Sequence, residues 1–388
     1  MQSKSVLKTN AVLWLLSLGN FVVGMGAFMV IGILSPIAQD LGITKAQAGL
    51  LMTFYAVSYA VSSPLLMALS GRIERAKVLM VGMGLFAFGA LLAFFANDLD
   101  ALLWSRMVMA LGAGIVTPVA ASLGVAMSDA SARGKALAVV FGGLTLAQAL
   151  GVPVGAWLGY TFGWHTAFAV VFVFGAITVA AFYRGLPQGV VMPVASLPAL
   201  WAVLSNYRES LAVSFTAFFI GALYVFYTFM APFLEARYQL SRDGITLILA
   251  IFGAGAVFGN SLGGWMTDRI GTQRTLVCLC AAQVVLLPAL TYLTLPLNWF
   301  AVLVGVWSVC CWSFMVPQQA RLAALSPQRT PVLLALNASA IYVGGSLGSW
   351  LGALVLKQFD FSILGPVAVV LAVLAWLSLF LTRPQPSL

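Results

Sequence analysis

Charge is what this sequence has least of. Asp, Glu, Lys and Arg make up 7% of its 388 residues, where about a quarter is usual for a soluble domain. Hydrophobic residues make up 62%, and the mean hydropathy is +1.04, so water cannot be the main solvent of the chain. Histidine is almost missing too. The single His165 excludes a His-rich metal cluster, and Cys278, Cys280, Cys310 and Cys311 all fall in apolar runs, where they form no disulfide framework. There is no Ser/His/Asp set and no phosphate-cradling Gly-Lys-Ser/Thr. The chain therefore reads as no enzyme, with no cofactor and no ATP site of its own.

What is there is a succession of long apolar runs. About 20 helical residues cross a bilayer core of about 30 Å. Charge-free stretches of that length occur at 11–38, 47–70, 78–97, 101–127, 136–161, 165–184, 208–235, 244–267, 275–295, 299–322, 332–357 and 363–382. These twelve predict an all-α integral membrane protein whose partner is the lipid bilayer. An even number of spans puts both termini on one side, and retained basic loops mark the cytoplasmic side. With the N-terminus inside, fourteen basic residues are cytoplasmic: Lys4, Lys8, Arg72, Arg75, Lys77, Arg133, Lys135, Arg184, Arg208, Arg269, Arg274, Arg321, Arg329 and Arg383. Only Lys45, Arg237, Arg242 and Lys357 fall opposite, and Arg106 is left inside a span. The net charge of +9 thus comes from membrane-anchoring loops, which argues against a nucleic-acid partner. Lys4 and Lys8 precede an apolar run as in a secretory signal, but the run continues to Pro36 and reads as a retained first span.

Two motifs recur. Gly71-Arg72-Ile73-Glu74-Arg75-Ala76-Lys77, after the second span, is echoed by Asp268-Arg269-Ile270-Gly271-Thr272-Gln273-Arg274 at 197 positions' distance. Gly155-Ala156-Trp157-Leu158-Gly159 is echoed by Gly348-Ser349-Trp350-Leu351-Gly352 at 193. Nearly equal offsets point to a duplicated six-span unit. The expected organisation is an N-terminal six-helix bundle over 1–184, a linker over 185–207 and a C-terminal six-helix bundle over 208–388. The linker holds Pro187, Pro193 and Pro198, and its Leu200-Trp201-Ala202-Val203-Leu204 reads as a short interfacial helix on the cytoplasmic side.

Within the spans, Gly151-Val152-Pro153-Val154-Gly155 is the strongest local signal. Small residues let helices approach, and Pro153 removes a backbone hydrogen bond. The motif serves either tight packing alone or rocking of a kinked helix. Arg106 is costly at its depth, roughly 3 kcal/mol on insertion scales, which points to function, whereas snorkelling to the outer interface is the plainer reading. Facing inward, it would pair with an anionic solute or polarise a neutral one. Asn20, Gln148, Tyr224, Tyr227, Thr228, Asn260, Gln283, Asn337 and Tyr342 are polar positions in apolar spans, each either interhelical glue or a ligand contact. With Phe28, Phe219 and Phe226 they describe a cavity of neutral polar and aromatic groups. His165 reads as a solvated residue at a helix start.

The loop motif, the Gly-Pro motif and the twelve spans in two halves resemble the major facilitator superfamily. Along nearly its whole length the chain is similar to its drug:proton antiporter-1 type, near the arabinose-efflux and purine-exporter groups. The resemblance is carried by Leu34-Ser35-Pro36-Ile37-Ala38-Gln39-Asp40-Leu41-Gly42, Gln47-Ala48-Gly49-Leu50-Leu51, Arg106-Met107-Val108-Met109-Ala110-Leu111-Gly112-Ala113-Gly114, and Gly264 with Asp268-Arg269-Ile270-Gly271. It implies alternating access, with a small-molecule substrate in a central cavity and gating by Gly71, Arg72, Arg75, Gly151, Pro153, Gly155, Asp268 and Arg269. It also implies protons as a coupled ion and a monomer in the bacterial inner membrane.

The chain departs from that pattern at Gly71, where the family usually has Asp, at Glu74, where it has Gly, and at Met109, where Gln is frequent. It also has Gly26-Ala27-Phe28 where many relatives carry an acidic proton site. No carboxylate lies inside an N-terminal span, and Glu235, at the end of the seventh, is the remaining proton-coupling candidate. The leading expectation is an exporter of a small organic solute such as a drug, sugar or nucleobase. Organic-anion uptake or exchange through Arg106 and a non-transporting membrane sensor are the alternatives.

Overall fold

The computed structural model describes residues 2–129, 132–191 and 197–382; Pro193 and Arg383 lie outside the described residues. Among these residues all regular structure is helical, and twelve segments are long and apolar enough to cross a membrane. In order they are Thr9–Asp40, Lys45–Arg72, Arg75–Phe94, Leu99–Ala126, Arg133–Phe162, Trp164–Gly185, Tyr207–Tyr238, Arg242–Ile270, Thr272–Tyr292, Leu297–Leu325, Val332–Gln358 and Phe361–Leu381. They are called spans 1 to 12 below. Each matches one apolar run of the sequence to within a few residues.

Apart from the stretch between spans 6 and 7, the connections are short, and their chemistry explains why. Gly163 and Gly271, at φ +85° and +84°, are single-residue turns between spans 5 and 6 and between spans 8 and 9, a backbone conformation that side chains disfavour. Asp98 caps span 4 by accepting from the Ala101 amide at 2.7 Å. Asn206 caps span 7 by accepting from the Arg208 and Glu209 amides. Ahead of it, the helix Leu197–Leu204 exposes Trp201 and buries Val203 against Ala212, Val213, Leu322 and Leu333.

The chain divides into two compact units, one of Met1–Leu41 with Ser58–Ala195, the other of Gly42–Val57 with Ser196–Leu388. Span 2 is thus shared between them. Its first half belongs to the second unit, where Gly49 lies against the Phe229 ring and Lys45 pairs with Glu235 at 3.3 Å.

The same pairing rules operate inside each unit. In the first, span 1 packs on spans 4, 5 and 6, and span 3 on spans 4 and 6. In the second, span 7 packs on spans 11 and 12, and span 9 on spans 10 and 12. Spans 1 and 7 are the most buried helices of their units, over 89% of their most apolar stretch against 33–67% for the other spans. Glycine permits this. A Cβ on Gly155 would stand 2.5 Å from the Met29 Cβ, and one on Gly352 would stand 2.7 Å from the Val225 carbonyl oxygen. The span-5 glycine motif is therefore a packing face toward span 1.

Three spans are broken, for two different reasons. Span 7 consists of Tyr207–Tyr227 and Met230–Tyr238, and span 10 of Leu297–Trp312 and Met315–Leu325. A proline ring clashes with the carbonyl four residues earlier, and Pro232 and Pro317 stand four residues after Thr228 and Ser313, where these breaks fall. Span 1 breaks at Met29, between Gln2–Phe28 and Val30–Asp40, with no proline in register. Its break has a cationic cause, described next.

Candidate functional site

Arg106 is fully buried in span 4. Its guanidinium donates to the carbonyl of Gly26 at 2.5 Å and to that of Ala27 at 3.1 Å. In an unbroken helix those carbonyls would accept from the Val30 and Ile31 amides. Span 1 breaks where the arginine competes for them. Arg106 therefore does not snorkel; its charge is solvated by two peptide dipoles of the neighbouring helix, with the Met109 sulfur 3.9 Å away. Gly26-Ala27 stands where the family's acidic residue is frequent, and here the backbone supplies the acceptors.

Of the other first-unit candidates, Asn20 and the span-5 glycines are held as helix contacts. Asn20 donates to the Val140 carbonyl at 2.9 Å, joining span 1 to span 5. Phe28 and Gln148 are buried. Gly151 and Gly155 lie against Met25 and Met29, and Pro153 is buried between them in a helix that continues from Arg133 to Phe162. His165 departs from the solvated role expected of it. It is half-buried, stacked on Trp164 at 3.6 Å, with Nε2 3.1 Å from the Ala96 carbonyl oxygen. The neighbouring Trp164 donates to Asp40 at 2.8 Å.

In the second unit the structure gathers a polar cluster that sequence reasoning only touched. Thr216 donates to Asn337 Oδ1 at 2.5 Å. Gln318 donates to the same oxygen at 3.4 Å and to the Ala212 carbonyl at 2.9 Å. Arg321 donates to Gln318 at 3.1 Å and to Thr382, and lies 5.6 Å over the Phe215 ring. Arg321, counted with the loop charges above, is buried inside the helix Met315–Leu325, so Arg106 is not the only intramembrane cation. Arg75 is also buried rather than an exposed loop charge, and it donates to the Ser70 carbonyl. The available clue was distance from the nearest helix end, which a one-residue loop such as Gly271 makes hard to judge.

Next to this cluster lie the aromatic candidates. Phe219 packs between Phe215 and Phe314, and its carbonyl accepts from Gln283 at 3.2 Å. Tyr224 and Tyr227 meet edge to face at 5.8 Å, and Tyr227 stacks on Phe252 at 4.0 Å. Thr228 bonds Ser349 at 2.7 Å. Tyr342 is half-buried. Trp307, absent from the sequence-level candidates, packs against both Phe226 and Phe252.

The loop candidates differ between the repeats. Gly71 is half-buried and Arg72 exposed, while Asp268 and Arg269 are both exposed, with Arg269 5.7 Å over Trp265. Glu74 accepts from the Gly189 amide at 2.6 Å and pairs with Lys77 at 3.1 Å. The Gly189 hydrogen bond, then Lys77, hold its carboxyl below the ordinary value. Glu235 is half-buried and paired with Lys45.

Comparison with known proteins agrees with this architecture. The sequence profile of the Major Facilitator Superfamily matches residues 16–323 and 213–388. The chain is 31% identical over 381 residues to the MFS-type transporter YbcL of Bacillus subtilis (strain 168), covering 97% of each. It is 28% identical over 383 residues to the inner membrane transport protein YdhP of Escherichia coli (strain K12), covering 98% of each. Among solved structures, a bacterial homolog of the human lysosomal transporter Spinster, in its inward-facing and unoccupied conformation, superposes with a TM-score of 0.74 at 17% identity over 99% of each chain. Its occupied form gives 0.71 at 18% identity over 97% of this chain and 98% of that one. Twelve spans, two units and a family match over nearly the whole length make this chain a multi-pass membrane transporter of the major facilitator superfamily, acting on small molecules.

Proposed function

We propose that this transporter exports a small, uncharged organic solute across the bacterial inner membrane by alternating access, as a monomer with both termini in the cytoplasm. The observation that carries the uncharged reading is the engagement of Arg106 by the Gly26 and Ala27 carbonyls. A guanidinium spent on span 1 is not offered to a solute, and unlocking it for an anion would forfeit two charge-assisted hydrogen bonds at full burial. Export rests on the resemblance to the drug:proton antiporter-1 type. The orientation rests on the excess of basic residues on one side, and the membrane on the label of the Escherichia coli relative. Tyr224, Tyr227, Phe219, Gln148, Asn337 and Tyr342 are the solute-facing candidates, with Phe28 and Asn20 from span 1. The glycine and loop motifs are the gating candidates.

Proton antiport belongs to this proposal with Glu235 as its candidate coupling residue. Lys45 sits 3.3 Å away, so uptake of a proton by Glu235 would cost that pair. Organic-anion exchange is the second reading, favoured only by the presence of buried cations at Arg106 and Arg321.

The test is a comparison of cells lacking and overproducing the protein, followed by flux in proteoliposomes carrying a trapped pH dye. Overproduction should deplete a neutral solute from the cytoplasm and enrich the medium. Accumulation inside the cell, or a flux restricted to anions, would overturn the export of an uncharged solute. Solute-driven proton movement that survives Glu235→Gln would remove Glu235 from the coupling.

A further inference from the structure

Where the start of span 9 meets the ends of spans 8 and 12, the second unit carries an open groove of about 370 Å³. It is lined by Ile270, Gln273, Arg274, Val277, Cys278 and Phe380. Ile270 is the last residue of span 8 and Phe380 the last but one of span 12, so the groove lies at the end of the unit that bears the 8–9 loop. Gln273 ties its two sides together. Its Nε2 donates to the Leu379 carbonyl at 3.1 Å, joining the first turn of span 9 to the last turn of span 12.

The lining changes character along the helix axis. Arg274, Val277 and Cys278 stand at i, i+3 and i+4 and share one face of span 9. At 1.5 Å per residue, Val277 and Cys278 lie about 5 Å deeper than Arg274. A cation therefore stands at the mouth with an apolar floor below it, and Ile270 and Phe380 are exposed walls. Arg274 is itself exposed, and among the described residues it has neither an ion pair nor a hydrogen bond. The loop's other charges, Asp268 and Arg269, cancel, and Arg269 lies over Trp265. The positive end of the span-9 helix adds to the field of Arg274.

We infer that this groove holds one anionic glycerophospholipid, its phosphate against Arg274 and an acyl chain along Val277, Cys278, Ile270 and Phe380. Charge at the interface followed by apolar surface toward the membrane interior is the order of groups in a phospholipid. A soluble phosphate ester would leave the apolar floor uncovered, and a zwitterionic lipid would bring an ammonium close to the guanidinium. The groove is open on apolar spans, so an acyl chain enters it from the bilayer without crossing water. With both termini in the cytoplasm, as proposed above, the site faces the cytoplasmic leaflet, where anionic headgroups attract basic side chains. The site does not depend on which solute is carried.

The probe is phosphatidylglycerol, titrated onto the full-length protein purified in detergent and read by native mass spectrometry. Phosphatidylethanolamine with the same acyl chains is the zwitterionic control. The parent protein should retain a single phosphatidylglycerol at saturation and hold phosphatidylethanolamine about tenfold more weakly. Arg274→Gln should weaken phosphatidylglycerol retention by about tenfold, the loss of one charge-assisted contact, and leave the control lipid unchanged. Because Arg274 is exposed and unbonded, the variant should melt as the parent does, so weaker retention is not explained by misfolding. Cys278, the exposed thiol of the four, reports the place. Phosphatidylglycerol should slow its alkylation by N-ethylmaleimide in the parent and not in Arg274→Gln, as mapped by peptide mass. Retention that never saturates, as for annular lipid only, would overturn the inference, as would equal retention by parent and variant or unchanged alkylation of Cys278. Equal protection of Cys278 by inorganic phosphate would make this a soluble-anion site instead, and a dimer that protects Cys278 without added lipid would assign the groove to a second copy; either result refutes the lipid.

Discussion

Glu74 holds the Gly189 backbone amide at 2.6 Å, and one residue on, the Arg75 amide donates to the Val190 carbonyl at 2.8 Å. The loop after span 2 is thus clasped at two points to the segment that follows span 6. The family's usual residue at position 74 is glycine, which could make only the backbone half of this contact. The substitution that weakens the expected loop motif creates a different bond in its place.

The clasp should respond to acid in a defined direction. Because the folded carboxyl is held below its ordinary value of 4.5, the contact is present at neutral pH and is lost only as pH falls through the lower folded value. Limited proteolysis of the 186–191 segment should therefore be equally slow at pH 7 and pH 5.5, and faster in strongly acidic buffer. Glu74→Ala should show the fast cleavage already at pH 7, and Glu74→Gln, whose amide oxygen still accepts, should fall between.

Arg106→Ala should be among the most damaging substitutions in the chain. It removes two charge-assisted hydrogen bonds at full burial, each worth about 1.5–3 kcal/mol. The expected outcome is a large fall in melting temperature and in solute flux together. Arg106→Lys keeps the charge but cannot fork to two carbonyls, and should recover part of the stability. A parent-like melting curve for the alanine variant would contradict the role given to the Gly26 and Ala27 carbonyls.

Adjacent glycines in span 5 should behave oppositely. A Cβ on Gly143 would collide with the Ser17 backbone, whereas one on Gly142 meets nothing within 4 Å. Gly143→Ala should destabilise by about 1–3 kcal/mol through overpacking of spans 1 and 5. Gly142→Ala should be neutral or stabilising by up to about 1 kcal/mol, from helix propensity alone. Thermal unfolding of the two purified variants, with size-exclusion profiles as a fold control, distinguishes them.

The Lys45–Glu235 pair should matter little to stability. Lys45 is 38% exposed at its side chain, and such pairs contribute at most about 1 kcal/mol. Glu235→Gln should therefore leave the melting temperature nearly unchanged while abolishing solute-driven proton flux. The charge reversal Lys45→Glu with Glu235→Lys should restore folding contacts but not proton coupling. Proton flux intact in both variants would show that coupling lies elsewhere.

Among the polar candidates, Asn337 should be the most sensitive to truncation. Its Oδ1 accepts from both Thr216 and Gln318, and Gln318 in turn accepts from Arg321. Asn337→Ala leaves buried donors on two other helices, at a cost of about 1–3 kcal/mol. Asn337→Asp supplies the acceptor and a charge near Arg321, and should keep more stability than the alanine.

What the sequence determined by itself was the number and place of the spans, the transport architecture they imply, and the presence of a costly charge at Arg106. These follow from local quantities: run length, hydropathy and charge, each read without knowing what a residue touches. The breaks in spans 7 and 10 were not read from the sequence: Pro232 and Pro317 stand in register with them, but Pro64, Pro118, Pro153 and Pro288 lie inside helices that continue. Only the tertiary structure decided the rest. The break in span 1 comes from a guanidinium about eighty positions later in the chain, supplied by span 4. The burial of Arg321, the grouping of residues 42–57 with the second unit, and the joining of Tyr227 and Trp307 on Phe252 likewise depend on which helix faces are brought together. Hydrogen-bond partners are chosen by proximity in space. An apolar run carries little record of the face its polar residues will meet.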